Sequence, residues 1–127
     1  MYESKSIIQS KYSFEVQQLT YNALKRLDER RRPYLHAAMQ RCNYHLSETI
    51  VNYQDSFSIQ KQIVMYKNFV LRVAELWSLL GQWPREIYLP GLEGMVEGVQ
   101  QLYFDLLQEL TRKEVHLIKI NANRKAN

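Results

Sequence analysis

Apolar residues recur every three or four positions over four long segments of this chain. That spacing is the period of an amphipathic α-helix. The breaks between the segments coincide with Pro33, Pro84 and Pro90, and no glycine precedes Gly81. The pattern therefore predicts an all-α protein with four helices.

The first two helices are expected on either side of Pro33. Helix 1 is predicted from about Ser6 to Arg31, with an apolar stripe that includes Val16 and Ala23. Proline disfavours helical geometry in the residue before it, so the chain should break just ahead of Pro33. Pro33 itself suits the first turn of helix 2, which is predicted from Pro33 to about Tyr53.

The other two helices are expected around the glycine-rich stretch. Helix 3 is predicted from about Phe57 to Leu80, with Asp55 and Ser56 as candidate N-caps. Helix 4 is predicted to open at Pro90 and to continue through Ile120. A frayed, basic tail is expected over residues 121–127.

Four long helices with short connections predict an antiparallel up-down-up-down four-helix bundle. The chain has 127 residues, of which 46% are hydrophobic and 24% charged. This length suits one core and this composition is typical of a globular domain. We therefore expect residues 1–127 to form a single domain.

Helix 3 carries more apolar residues than one buried face needs. Phe69, Leu76 and Leu79 lie off its main stripe. Helix 3 is then either the most central helix or a helix with a second face that another copy of the chain covers. We favour self-association and predict these three residues as the subunit contact.

Charge is segregated along the chain. Residues 1–72 have a net charge of +5, residues 73–109 of −5 and residues 110–127 of +4. A basic surface attracts nucleic acid or an acidic partner. Glu93, Glu97, Asp105 and Glu109 recur on one slowly drifting face of helix 4, from which phosphate should be repelled.

Six basic residues are the predicted phosphate contacts. Two lie on helix 3 and share a face because they are eleven residues apart, and four lie towards the C-terminus. The six residues are Lys61, Arg72, Arg112, Lys113, Arg124 and Lys125. The alternative is that these cations only form a solvated face and complement helix dipoles.

The sequence predicts no cofactor, no metal and no catalytic residue. It contains no glycine-rich phosphate loop and no Glu-x-x-His pair, and Cys42, His36 and His45 do not form a convincing ligand set. Cys42 lies on an apolar stripe, where a thiol is usually inert. No apolar run reaches membrane-spanning length, and Met1–Ser10 lacks a secretory pattern, so a soluble cytoplasmic protein is expected.

The segment Arg31 to His36 resembles the arginine–histidine signature of HEPN ribonucleases. In that interpretation His36 would act as acid or base and an arginine would stabilise the phosphate. We favour the alternative that Arg30, Arg31 and Arg32 complement the C-terminal dipole of helix 1.

The layout of the helices is similar to that of the accessory variability determinant proteins of diversity-generating retroelements. These belong to a wider family that includes proteins encoded in ribosomal RNA intervening sequences. The resemblance covers roughly residues 14–113. It rests on Met39-Gln40-Arg41-Cys42, the short turn from Asn52 to Ser58, and Leu76-Trp77-Ser78-Leu79-Leu80-Gly81-Gln82.

The resemblance implies a pentameric, basic, non-enzymatic protein that binds a reverse transcriptase and its template RNA. Family members carry arginines on helices 3 and 4, and the nearest matches here are Arg72, Arg112 and Lys113. Our first hypothesis is therefore an oligomeric accessory protein that binds RNA or DNA. The alternatives are a helical adaptor or chaperone that holds another protein through its apolar surface and, third, a HEPN-like ribonuclease.

Overall fold

A computed structural model describes residues 6–126 of the chain, which form four helices and no strand. The helices are α1 (Lys11–Leu24), α2 (Pro33–Asn52), α3 (Ile59–Gly81) and α4 (Leu92–Ala126). The all-α prediction is confirmed. Contacts join α1 to α2, α2 to α3, α3 to α4 and α4 back to α1. Within residues 6–126, no helix is long and apolar enough to cross a membrane.

Helix α1 is much shorter than predicted. Ser10 caps its N-terminus, since the Ser10 hydroxyl accepts a hydrogen bond from the Ser13 backbone N–H at 3.1 Å. After Leu24 the chain turns around Asp28, whose carboxylate accepts from the Arg30 backbone N–H at 2.9 Å. Aspartate favours such turns, and the chain is not helical from there to Arg31, although α1 has already ended four residues earlier at Leu24.

The other helix ends lie close to the predicted ones. Pro33 starts α2. Ser58, rather than Asp55 or Ser56, caps α3 and accepts from the Lys61 backbone N–H at 3.2 Å. Helix α4 continues to Ala126 without a break, so the predicted tail is helical over residues 121–126. Residues 1–5 and 127, on which the expectations for the two termini also fell, lie outside the described residues.

Helix α3 lies between α2 and α4 and buries two adjacent sides in the single chain. Phe69 is 1% exposed and Leu76 is 0% exposed. Neither side chain therefore has surface to offer a second copy, which corrects the predicted subunit contact at these two positions. The off-stripe residues are apolar because α3 is central. Leu79 is half-buried and packs against the same core.

The buried face of α1 is partly polar. Ser13, Gln17 and Thr20 are buried, whereas Leu19, which the three- and four-residue apolar spacing also assigns to the stripe, is 42% exposed. The Gln17 amide donates to Asn43 Oδ1 of α2 at 2.8 Å. Burying such groups costs little free energy once they are hydrogen-bonded. The spacing of apolar residues alone therefore does not identify the side of α1 that faces the core.

Helices α1 and α4 approach closely at a glycine. The Tyr12 hydroxyl donates to the Gly98 carbonyl at 2.8 Å, and a Cβ at Gly98 would lie 3.3 Å from that hydroxyl oxygen. The absence of a side chain at position 98 lets the tyrosine reach the α4 backbone. This contact lies beside the acidic half of α4.

We expect Leu102→Ala to destabilise the fold by about 3 kcal/mol, because Leu102 is fully buried in the core and its removal leaves a cavity. Chemical denaturation monitored by circular dichroism measures the change. Val51→Ala is the control, since Val51 is 75% exposed on α2 and its truncation should change the free energy of unfolding by less than about 0.5 kcal/mol. Equal losses in the two variants would contradict the described core.

Candidate nucleic-acid interface

The six predicted phosphate contacts lie in three separate regions of the structure. Arg72 lies in the middle of α3 beside α2. Lys61 begins α3, and Arg112 and Lys113 lie where α4 passes that end of α3. Arg124 and Lys125 lie at the far end of α4. The six residues therefore do not form one continuous patch.

Arg72 belongs to an ion-pair network between α2 and α3. Its Nη1 lies 3.3 Å from Glu75 Oε1, and Arg41 Nη2 of α2 lies 2.9 Å from Glu75 Oε2. Hydrogen bonding to the Arg41 guanidinium is the main factor that lowers the pKa of Glu75 below its usual range. Since Glu75 engages Arg72 in this way, we conclude that Arg72 fits a structural role better than a phosphate contact.

The Cys42 thiol is part of the same network. Its Sγ lies 3.2 Å from Glu75 Oε1 and Cys42 is fully buried. Burial, reinforced by the hydrogen bond to Glu75, raises the pKa of the Cys42 thiol to about 12. The thiol is therefore protonated at neutral pH, and a protonated buried thiol is a poor nucleophile.

Lys113 is also held inside the fold. Its side chain is only 15% exposed, and its Nζ donates to Gln62 Oε1 at 2.7 Å and lies 4.9 Å from the centre of the Tyr66 ring. Gln62 in turn donates to the Phe57 carbonyl at 2.8 Å. Lys113 thus helps to hold the connection between α2 and α3, which limits its reach towards a ligand.

Lys61 and Arg112 are more accessible. Lys61 is exposed, with its Nζ 3.9 Å from the centre of the Phe57 ring. The Arg112 side chain is 68% exposed and its Nη1 lies 3.4 Å from Glu109 Oε2. An exposed ion pair of this kind contributes little free energy, so Arg112 can exchange Glu109 for a phosphate.

The last part of α4 has the least compensated positive charge. Leu117 is the last α4 side chain that packs against the core among residues 6–125. From there to Ala126 the helix runs on for about 13 Å. Lys119, Arg124 and Lys125 are exposed on it, and the sequence contains no acidic residue after Glu114.

A second group of basic residues, outside the predicted set, lies where the end of α1 meets the connection between α3 and α4. The chain folds the end of α1 and the connection between α3 and α4 together there, and Arg26 Nη1 donates to the Tyr88 carbonyl at 3.4 Å. Lys25, Arg30 and Arg85 are exposed. The sequence signal for this cluster is the run of arginines ahead of Pro33, for which the two predictions are a complement to the helix 1 dipole and a HEPN-like phosphate site.

Carboxylates compensate part of the positive charge of this second basic group. Arg31 Nε lies 3.6 Å from Asp28 Oδ2, and Arg32 forms an ion pair with Glu86. His36 lies in the first turn of α2, and its backbone N–H donates to the Arg32 carbonyl at 2.9 Å. The two arginines nearest to His36 in sequence are thus paired with carboxylates.

The acidic face of α4 has two different halves. Glu93 and Glu97 are exposed. Asp105 accepts from the Gln101 amide at 2.9 Å, and Glu109 lies between Arg112 and Lys113 at 3.4 and 3.8 Å. Among the described residues the negative charge without an ion pair therefore lies from Glu93 to Asp105, in the first half of α4, whereas the uncompensated positive charge lies at its end.

No cluster of three or more histidine, cysteine, aspartate or glutamate side chains within the described range is placed to hold a metal ion. Comparison with protein-family models, with curated proteins and with solved structures gives no match to this chain. The family resemblance is therefore still a prediction.

We expect the stabilising effect of Glu75 to depend on pH. The pKa of Glu75 is lowered in the folded protein, so its contribution is present above the unfolded pKa and is lost as pH falls through the folded pKa. Glu75→Gln should accordingly be less stable than the parent protein at pH 7, and the difference should shrink as the solution is acidified below about pH 4. Unfolding midpoints in denaturant across this pH range measure the effect, and a difference independent of pH would contradict it.

We expect Cys42 to react slowly with iodoacetamide in the folded protein at pH 8, because its thiol is buried and its pKa is about 12. Mass spectrometry of the quenched reaction measures the rate. Unfolding in guanidinium should raise the rate by several orders of magnitude. Equal rates in the folded and unfolded protein would show that the thiol is accessible.

Proposed function

We propose that this chain is a non-enzymatic, oligomeric accessory protein that binds nucleic acid through the C-terminal part of α4. The supporting observation is the stretch beyond Glu114, where Lys119, Arg124 and Lys125 are exposed on a helix that continues past the core and carries no acidic residue.

The chemistry of phosphate binding favours this segment over the rest of the predicted set. Contacts to a nucleic-acid backbone come mainly from exposed cations that can replace condensed counterions. Arg124 and Lys125 satisfy this condition, and Arg112 and Lys61 satisfy it in part. Lys113 and Arg72 are engaged within the fold and would support the segment only indirectly.

The proposed architecture is the antiparallel up-down-up-down bundle. Each helix contacts its neighbours in chain order and α4 returns to α1. The connections between consecutive helices are 6 to 10 residues long by the bounds given above, a length that favours antiparallel neighbours. In this arrangement the start of α4 and its basic end lie at opposite ends of the molecule.

The partners proposed for this protein follow from the resemblance stated above. They are RNA or DNA, a reverse transcriptase and further copies of the chain in the cytoplasm. The pentamer is the copy number that the resemblance implies. The charge distribution supports the nucleic-acid partner, and the reverse transcriptase is proposed on the resemblance alone.

A helical adaptor is the second candidate. Its support is the apolar surface of α4, where Phe104 and Ile118 are 51% and 67% exposed. An adaptor of this kind would hold another protein through that surface. It predicts no salt-dependent affinity for nucleic acid.

We expect removal of charge from the end of α4 to weaken RNA binding and to reduce its salt dependence. The variant is Arg112→Gln/Lys119→Gln/Arg124→Gln. Three lost phosphate contacts should lower the slope of log K against log salt concentration by about 2 for a single strand. Fluorescence anisotropy with a short labelled single-stranded RNA at several salt concentrations measures both quantities.

The matched control removes three positive charges from the other end of the bundle, as Lys25→Gln/Arg30→Gln/Arg85→Gln. It should leave the salt slope nearly unchanged. Equal effects of the two variants would mean that only net charge matters, and the site assignment would be wrong. Absence of binding by the parent protein to RNA and to single-stranded DNA would leave the adaptor as the better hypothesis.

A further inference from the structure

Helix α4 has a second ordered stripe on the side away from the core. Its residues are seven positions apart along the chain, and all of them are exposed. The stripe is Glu97, Phe104, Thr111, Ile118 and Lys125. Its apolar members are Phe104 and Ile118, and the other three are polar or charged. A seven-residue repeat is the one that two helices use to pack along each other, and it drifts by only about 20° per repeat on a straight helix.

A second row, four residues later in each repeat, widens this stripe. It contains Val115, which is 43% exposed, and the small exposed side chain of Ala122. Phe104 packs edge-on against Trp77 of α3, with ring centres 6.1 Å apart. The apolar part of the stripe thus runs from the Trp77 cluster at the middle of α4 to its projecting end.

The two ends of the stripe have opposite charge. Residues 92–109 of α4 contain four carboxylates and no lysine or arginine, whereas residues 115–126 contain Lys119, Arg124 and Lys125 and no carboxylate. In a single helix this separation complements the helix dipole, with Glu93 in the first turn and Arg124 and Lys125 in the last. A pair of antiparallel copies gains from it, because the acidic half of each helix then lies against the basic half of the other.

We propose that the exposed stripe of α4 is the contact with a second copy of this chain, with the two α4 helices packed antiparallel about a two-fold axis near Glu109 and Leu110. This pairing puts a dimer in place of the pentamer that the resemblance implies, and it rests on the proposed function for its biological setting. Phe104 of each copy then packs against Val115 of the other, and Glu93 and Glu97 lie alongside Lys125.

A parallel pairing would place Glu93 and Glu97 of one copy beside the same carboxylates of the other, and would do the same for the basic ends. Like charges in such register disfavour association. The observed order of acidic, apolar and basic residues therefore selects the antiparallel arrangement. A two-fold contact of this kind closes on itself, so it produces a dimer.

The pairing leaves most of the proposed phosphate contacts accessible. Successive residues of a helix are about 100° apart, which places Arg124 on the opposite side of α4 from Phe104 and places Arg112 to one side of the stripe. Lys125 lies within the stripe, and the three-residue variant proposed for RNA binding leaves it unchanged. The two hypotheses can therefore be tested on different residues.

The first experiment is light scattering coupled to size exclusion with the full chain, over a range of protein concentrations and without nucleic acid. The expected mass is about 30 kDa, twice that of the 15.2 kDa chain. Ile118→Glu should shift the mass to 15.2 kDa. The control Val64→Glu changes a residue that is 55% exposed on α3 and should leave the dimer intact.

The second experiment tests the orientation by exchanging charges. Glu97→Lys and Lys125→Glu should each weaken dimerisation about tenfold at low salt, because each change places like charges together twice in a two-fold contact. The double variant should regain most of the parent affinity. Analytical ultracentrifugation measures the dissociation constants.

A monomer at all concentrations, or a pentamer of five 15.2 kDa chains, would overturn the proposed pairing. A dimer that Ile118→Glu does not dissociate would overturn the interface, and a double charge variant no tighter than the single ones would overturn the antiparallel orientation. RNA binding by a monomeric chain would leave the nucleic-acid part of the proposed function in place and contradict its oligomeric part, whereas a dimer that binds no nucleic acid would contradict the nucleic-acid part alone.

Discussion

The packing of α3 between α2 and α4 is the contact on which the rest of the structure depends. Phe69, Val73 and Leu76 bury a second side of α3 in addition to its main stripe. Because α3 packs against both α2 and α4, the charged residues of these two helices are held around one core. Helix α4 packs along α3 and continues beyond it.

Nearby carboxylates determine which basic residues remain available to bind a ligand. Glu75 holds Arg41 and Arg72 between α2 and α3, and Glu109 lies beside Arg112 and Lys113. A count of lysines and arginines therefore overestimates the basic surface. What remains is the charge that has no carboxylate within reach, and in α4 this is the segment after Glu114.

The sequence predicts the four helices well because its apolar period, Pro33 and Gly81 are strong local signals. It fails at the end of α1, which stops at Leu24 where the sequence predicts a helix to Arg31, and a turn at Asp28 follows. It also fails at Phe69 and Leu76, since a surplus of apolar residues does not reveal whether a helix is central or faces another copy. The ion pairs of Arg72 and the burial of Lys113 depend on residues distant in the chain, which no local pattern contains.

The continuous helix at the end of α4 has a consequence for the thermodynamics of binding. A basic tail without structure loses conformational entropy when a ligand orders it, at a cost of about 1 kcal/mol or more for each backbone residue fixed. Lys119, Arg124 and Lys125 lie on backbone that is already helical. The conformational entropy of these residues is therefore lost when the protein folds and not when a ligand binds. Any association through this helix should therefore show a small unfavourable entropy and a small change in helix content.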